Sequence, residues 1–329
     1  MAHVRASVMS GLWRCSFRPR PATIAAAKSV ATRIANARHY QSPSSSAATP
    51  AVSMVQANPL RQAFTRLSAG AAGLASLGLW QMLPGANVSR ALARTPGIDW
   101  VLVDCEHGNI DDAAMHEAVP VIAAEGVSPI VRIPDFQSWM VKRALDTGAH
   151  GILAPLIRTI DEVKALVAAC KFPPAGRRGF GSPLAMQGFR QVTEGSSPAA
   201  TLPSFTEYFE QANDSVLVLV QIETREALDA VESIVPLVDG LYVGPFDLAN
   251  NIGHPIRDGV VPEPVQAAIA RILAAAQAAG RCCGVYATTP EQARDYAAAG
   301  FHMVNVATDV LALQALTAAA VDVARSQNQ

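Results

Sequence analysis

Acidic residues are missing from the start of this chain: no Asp or Glu precedes Asp99. Residues 1–40 carry Arg5, Arg14, Arg18, Arg20, Lys28, Arg33 and Arg38, so without them the formal charge of −1 becomes −8. An Arg-rich, acid-free stretch full of Ala and Ser is built like a mitochondrial presequence. Cleavage is expected near Tyr40, and Ser42 to Thr49 form a low-complexity spacer. A tail without targeting function is the alternative. Cysteine is also sparse. The five present (15, 105, 170, 282, 283) form no Cys-x-x-Cys pair and are odd in number. That excludes a disulfide framework and a zinc-ligand pattern and suits a reducing compartment. No run of 18 apolar residues occurs, so no membrane span is expected. A pI near 6.7 gives no electrostatic footprint for nucleic acid.

Lysine is scarcer than arginine: only Lys28, Lys142, Lys164 and Lys171 are present. Carbonyl chemistry through a Schiff base needs a lysine in the site. One of these lies in the leader and three fall in predicted helices, so a metal must stabilise any enolate formed here. A Gly-x-Gly-x-x-Gly turn after a first strand is absent as well, which argues against a nucleotide cofactor.

What remains is regular. Short apolar runs at 75–80, 99–104, 128–132, 151–154, about 179–181, 216–222, 239–243, 282–286 and 302–306 read as strands. Helical patterns lie between them, near 86–95, 111–125, 136–148, 159–171, 204–213, 224–234, 263–279 and 289–299, with a last one near 309–325. About eight such units without a mid-chain break predict an α/β fold, a (β/α)₈ TIM barrel. A doubly wound open sheet is the runner-up. The domains expected are a presequence over 1–40, a disordered or loosely ordered linker over 41–70 and one barrel over 71–329. The loop from Pro173 to Pro203 is long and holds Arg177 and Arg178. It reads as a lid, an oligomer contact or a surface loop of no consequence.

Charged residues close several apolar runs, where barrel enzymes keep their chemistry. Glu223 and Asp247 stand 24 residues apart, about one strand–helix–strand repeat. Hard carboxylate oxygens there suit a divalent cation. As alternatives, Asp247 or the Glu223-Thr224 pair caps a helix. Asp104, Glu106 and His107 close a third run and Arg132 a fourth. A free imidazole exchanges its proton near physiological pH, so His107 is the candidate acid–base group, with Asp104 orienting its ring; a metal ligand or a structural histidine are the alternatives. Arg132 offers a fixed fork of donors to an enolate oxygen or a carboxylate. His116, His150, His254 and His302 read as structural.

These residues carry a family resemblance. From about residue 73 to 325 the chain resembles the HpcH/HpaI aldolases, metal-dependent class II pyruvate aldolases with citrate lyase β-subunits as distant relatives. The matching stretches are Gly78-Leu79-Trp80, Asp99 to Gly108, Val131-Arg132, Gly148 to Pro155, Arg178 to Gly181, Gln221 to Thr224 and Val243 to Leu248. The resemblance implies that Glu223 and Asp247 bind Mg²⁺, Mn²⁺ or Co²⁺ and that a 2-oxo acid chelates it. It implies that His107, paired with Asp104, relays a proton to or from the 4-hydroxyl, and that Arg132 stabilises the pyruvate enolate. Trp80 and Gln221 would line the pocket, and backbone amides around Gly244, Pro245 and Phe246 would receive the carboxylate. It also implies a homo-hexamer, a trimer of dimers, whose C-terminal helix is exchanged between subunits. Cys105 and Phe246 depart from the usual pattern, which often has glycine and a small residue there. Cys105 should point away from its neighbours, whereas Phe246 should narrow the pocket.

The activity expected is reversible aldol cleavage of a 4-hydroxy-2-oxo acid to pyruvate and an aldehyde. A Claisen-type acyl-CoA lyase is the alternative, with Arg177-Arg178 as the only basic cluster for CoA phosphates. A catalytically idle scaffold is the third reading.

Overall fold

A computed structural model describes residues 53–68, 75–190 and 202–326. The presequence expected over 1–40 lies outside them. The first described element is a helix, α1 (Pro59–Ser68), followed by β1 (Ser76–Gln81) and α2 (Ala86–Ala93). The alternation continues through β2 (Trp100–Asp104), α3 (Asp112–Ala124), β3 (Ser128–Arg132), α4 (Ser138–Asp146), β4 (Gly151–Ala154) and α5 (Ile160–Cys170). After the long loop come α6 (Phe205–Ser215), β5 (Leu217–Ile222), α7 (Arg225–Asp229), α8 (Val231–Ile234), β6 (Gly240–Val243) and α9 (Pro245–Asn251). The chain ends with α10 (Glu263–Ala278), β7 (Cys282–Val285), α11 (Pro290–Ala298), β8 (Met303–Thr308) and α12 (Asp309–Ser326). All eight strands pair in parallel, and β8 returns to β1 to close the barrel.

Period-two alternation decides what fills it. Trp100, Leu102 and Asp104 share the inner face of β2, as do Ser128, Ile130 and Arg132 on β3 and Leu217, Leu219 and Gln221 on β5. The lower members pack together inside the barrel with Leu153, Cys282 and Met303. The intervening Val101, Val103, Val131, Ile152, Val218 and Val220 face outward against the helices. Space for Trp100 comes from β1: a Cβ on Gly78 would lie 2.1 Å from the indole. The interior is therefore apolar at its N-terminal end and charged at the other.

Eight of the nine predicted strands are present. The ninth, at 179–181, is irregular; Phe180 instead packs its ring against Phe209, 4.6 Å between centroids. A three-residue apolar run supplies a packing residue without a ladder partner. The predicted helix at 224–234 is broken into α7 and α8.

The linker expected over 41–70 is corrected for its described part. Leu60, Phe64 and Leu67 recur at helical spacing in α1, and the first two are buried against the bottom of the barrel. Asn58 Nδ2 donates to the carbonyls of His150 (3.1 Å) and Ser215 (2.9 Å), and Arg61 pairs with Asp239 at 2.5 Å. Polar ends and an apolar stripe make α1 a floor to the barrel.

The described part of the Pro173–Pro203 loop also lies at this end. His150, just before β4, donates from Nε2 to the Gly188 carbonyl at 2.6 Å and stacks on Phe189. Burial pushes the His150 pKa down to about 4, against a smaller opposing effect of the Gly188 carbonyl. The structural reading of His150 thus matches its surroundings. The lid reading of the loop's described part is corrected, since it packs at the end opposite the charged one. Arg178 is buried there, over the Phe172 ring at 4.7 Å and bonded to the Tyr208 hydroxyl. At the other extreme α12 is exposed along its length, with Leu316 72% accessible and Asp309 its one buried residue. No described helix is long and apolar enough to cross a membrane.

Candidate active site

The C-terminal strand ends meet in a cavity of about 280 Å³. Trp80, Asp104, His107, Arg132, Gln221, Gly244, Pro245, Phe246 and Asp247 all line it. Glu223 is buried directly beneath Gly244. The ten residues expected to serve catalysis, substrate binding or the metal therefore come together at one end of one barrel.

Register explains the centre. Asp104 and Arg132 are cross-strand partners on adjacent strands, both facing inward. The Asp104 carboxylate accepts from Arg132 Nε (2.9 Å), Arg132 Nη2 (2.5 Å), Trp80 Nε1 (2.9 Å) and the N–H groups of Glu106 (3.0 Å) and His107 (3.1 Å). Burial alone would raise its pKa. The Arg132 hydrogen bonds and charge, helped by Trp80, outweigh that and hold the carboxyl below its usual range. The same pairing raises the Arg132 pKa against the opposing effect of burial.

The expected pairing of Asp104 with the His107 ring is corrected here. Asp104 reaches only the His107 backbone, because Arg132 and Trp80 already occupy its oxygens. The imidazole stands at the mouth, 61% exposed, with its Nε2 3.8 Å from Glu106 Oε1. Glu106 Oε2 in turn lies 3.0 Å from Arg132 Nη1. Burial raises the Glu106 pKa; Arg132 and His107 oppose that, and Asp104 and Asp247 add to it.

Glu223 is held from two sides. Its Oε1 accepts from the Leu156 N–H at 2.6 Å and its Oε2 from Gln221 Nε2 at 2.8 Å. Leu156 adopts a positive φ of 52°, a conformation costly for a leucine, and that conformation aims its N–H at Glu223. Gln221 Oε1 accepts from Arg132 Nη1 at 3.3 Å, which ties the two halves of the site together. A Cβ at Gly244 would lie 2.3 Å from Glu223 Oε2, so only glycine leaves room there. Thr224 caps α7 by accepting from the Ala227 N–H, so Glu223 does not serve as that cap. Asp247 sits in the first turn of α9 without a capping hydrogen bond of its own.

Burial pushes the Glu223 pKa up to about 7; the Leu156 N–H opposes this, and the charges of Asp247 and Glu106 add to it. Four carboxylates (Asp104, Glu106, Glu223, Asp247) thus face one guanidinium, a shortage of positive charge that a divalent cation would correct. Among the described residues no group of three or more His, Cys, Asp or Glu encloses a cation. Two carboxylates with open positions fit Mg²⁺-like ions, which complete their shell from water and substrate oxygens.

Sequence reasoning missed three contributors. Tyr286, after β7, lines the cavity, meets Trp80 edge-on at 5.2 Å and shares a 2.8 Å hydrogen bond with Thr308 Oγ1. Met82 lines it after β1. A lone tyrosine or methionine closing a strand reads as core, so neither gave a signal. The Leu156 amide gave none either. Cys105 faces away from the cavity, among α3 and α4 side chains, as the pleat requires; burial pushes its pKa up to about 12.

A model of the HpcH/HpaI aldolase/citrate lyase family matches residues 77–315. A hydroxypyruvate/pyruvate aldolase of Paraburkholderia phytofirmans is 37% identical over 253 residues, 76% of this chain and 93% of that protein. Another of the same name, from Agrobacterium fabrum, is 34% identical over 242 residues, 73% of this chain and 85% of that protein. A solved HpcH/HpaI aldolase/citrate lyase family protein from Burkholderia cenocepacia covers 80% of this chain and 99% of its own, with a TM-score of 0.69 and 34% identity.

Proposed function

The chain belongs to the HpcH/HpaI aldolase/citrate lyase family, and we propose that it cleaves a 4-hydroxy-2-oxo acid reversibly to pyruvate and an aldehyde. It is an aldolase, a carbon–carbon lyase, as its relatives are named. The observation that carries the reading is the linked set Trp80–Asp104–Arg132–Gln221–Glu223 facing Asp247 across one cavity.

Glu223 and Asp247 would hold a divalent cation, Mg²⁺, Mn²⁺ or Co²⁺. When bound, such an ion polarises the 2-oxo group as a Lewis acid. Arg132, locked by Asp104, presents its charge where negative charge grows on the enolate oxygen as the C3–C4 bond breaks. Its orientation is fixed before substrate arrives, so little reorganisation is needed. His107, at the mouth, takes the 4-hydroxyl proton as the aldehyde forms, and Glu106 stabilises the imidazolium that results. A proton delivered to C3 of the enolate then gives pyruvate. Gly244 and Phe246 supply amides to the substrate carboxylate; Pro245 between them has no N–H. Trp80 forms the wall beneath.

The test is pyruvate release from a panel of 4-hydroxy-2-oxo acids. It is run with EDTA, then with each metal restored, beside Glu223→Ala. Release only with metal, and its loss in the variant, is expected; release undiminished by EDTA would refute the metal-assisted route. The acyl-CoA reading loses its main support, because Arg178 is buried at the opposite end of the barrel. Assembly as a homo-hexamer with α12 exchanged between subunits is part of the proposal, supported by the exposed apolar residues of that helix. So is a mitochondrial address, which rests on the composition of residues 1–40. A fusion of that segment to a fluorescent protein that stays outside mitochondria would end that idea.

A further inference from the structure

We infer that the aldehyde half of this site is shaped for an apolar, ring-sized substituent rather than a second carboxylate or a run of hydroxyls. The inference rests on the aldolase reading and specifies its substrate class.

The cavity is two-sided. Its floor is charged; its outer wall is Met82, Phe246 and Tyr286. Several polar atoms near that wall are committed elsewhere. The Tyr286 hydroxyl is turned to Thr308 Oγ1 at 2.8 Å, leaving the ring as its contribution to the cavity. The N–H groups of Met82 and Leu83 both donate to the Asp309 carboxylate. Beyond Phe246 and Tyr286 a smaller cavity of about 50 Å³ continues past Ile256 and Val261. The polar residues there, Thr288 and Gln292, bond to each other at 3.0 Å. Phe246 and Tyr286 line both spaces, so their side chains stand between the reacting centre and this outer recess.

Charge argues the same way. Arg132 is engaged by Asp104 and Glu106, and His107 stands against Glu106. Asp247 and Glu106 give the mouth negative charge. A substituent ending in a carboxylate would meet no uncommitted cation among the cavity residues. A polyhydroxylated one would leave hydroxyls against aromatic carbon, an unmatched polar burial. An aryl group gains contact area with two aromatic side chains instead.

The experiment is the aldol direction with the full chain, pyruvate and Mn²⁺. Benzaldehyde, succinic semialdehyde and glyceraldehyde are offered separately, while deuterium exchange at the pyruvate methyl reports enolate formation alone. A preference in kcat/KM of about tenfold or more for benzaldehyde is expected, the scale on which apolar pockets discriminate. Phe246→Ala and Tyr286→Ala should each shrink that ratio, whereas Tyr286→Phe, which keeps the ring, should preserve it. Exchange accompanied by equal or better use of succinic semialdehyde or glyceraldehyde would overturn this inference and leave the aldolase reading standing. So would exchange with no product from benzaldehyde. Absence of both exchange and product would overturn the two together.

Discussion

Gly244→Ala isolates the contribution of one missing methyl group. The new Cβ would lie 2.3 Å from Glu223 Oε2 and 3.0 Å from Gln221 Nε2. Real Cβ contacts do not fall below 3.0 Å, so the carboxylate must retreat by roughly 0.7 Å. Oε1 is fixed by the Leu156 amide, so the retreat sacrifices the 2.8 Å bond from Gln221. Losing a hydrogen bond to a charged group costs about 1.5–3 kcal/mol. A displacement approaching 1 Å in an active site costs about 10²-fold in rate, or about 2.7 kcal/mol, so the two estimates agree. Steady-state pyruvate release gives kcat/KM, and calorimetric titration with Mn²⁺ gives the affinity of the carboxylate pair. Both should fall together. Gly179→Ala is the control, because a Cβ there meets nothing within 4 Å. A folded Gly244→Ala enzyme whose kcat/KM stays within about threefold of the parent would refute the argument.

Three further outcomes are expected. Arg132→Lys replaces a two-pronged contact on Asp104 with a point charge and should lower kcat by about 10²–10³-fold, read in the same assay. His150 is buried with a pKa of about 4, below the unfolded value near 6.5, so the unfolded chain binds the proton first on acidification. Its stabilisation is complete above about pH 6.5 and lost down to about pH 4, so urea unfolding should show a loss of about 2 kcal/mol from pH 7 to 5 that His150→Gln lacks. Leu316→Glu places charge on the most exposed large apolar residue of α12; sedimentation should show a smaller assembly than the parent forms, and an unchanged mass would remove α12 from the interface.

The sequence was most legible where a single strand carried the information. Alternation and charged run-ends located Asp104, Arg132, Gln221 and Glu223, because an inward-facing polar residue can be tolerated only at the open end of a packed barrel. What faced what was less legible. Asp104 meets Arg132 rather than the His107 ring because of the register between β2 and β3, and register is a property of two strands. Tyr286 was hidden for another reason: an aromatic closing a strand has the same appearance in a pocket wall as in a core. The amide of Leu156 is invisible in principle, since its role depends on a dihedral angle and not on its side chain. Leu60, Phe64 and Leu67 did carry a readable helical spacing, but the Ser- and Ala-rich context upstream masked it.

The floor formed by α1 also orders events in time. Its partners lie far along the chain: Asn58 reaches the Ser215 carbonyl, Arg61 reaches Asp239, and Cys282 reaches the carbonyl of Phe64. This helix leaves the ribosome before any described strand, yet its seat does not exist until nearly all of them have been made. An element translated ahead of every described strand is therefore docked after most of them, and until then Leu60 and Phe64 have no barrel to enter. Closing such long loops is slow. The nascent chain carries its own stopper, kept waiting until there is a vessel to close.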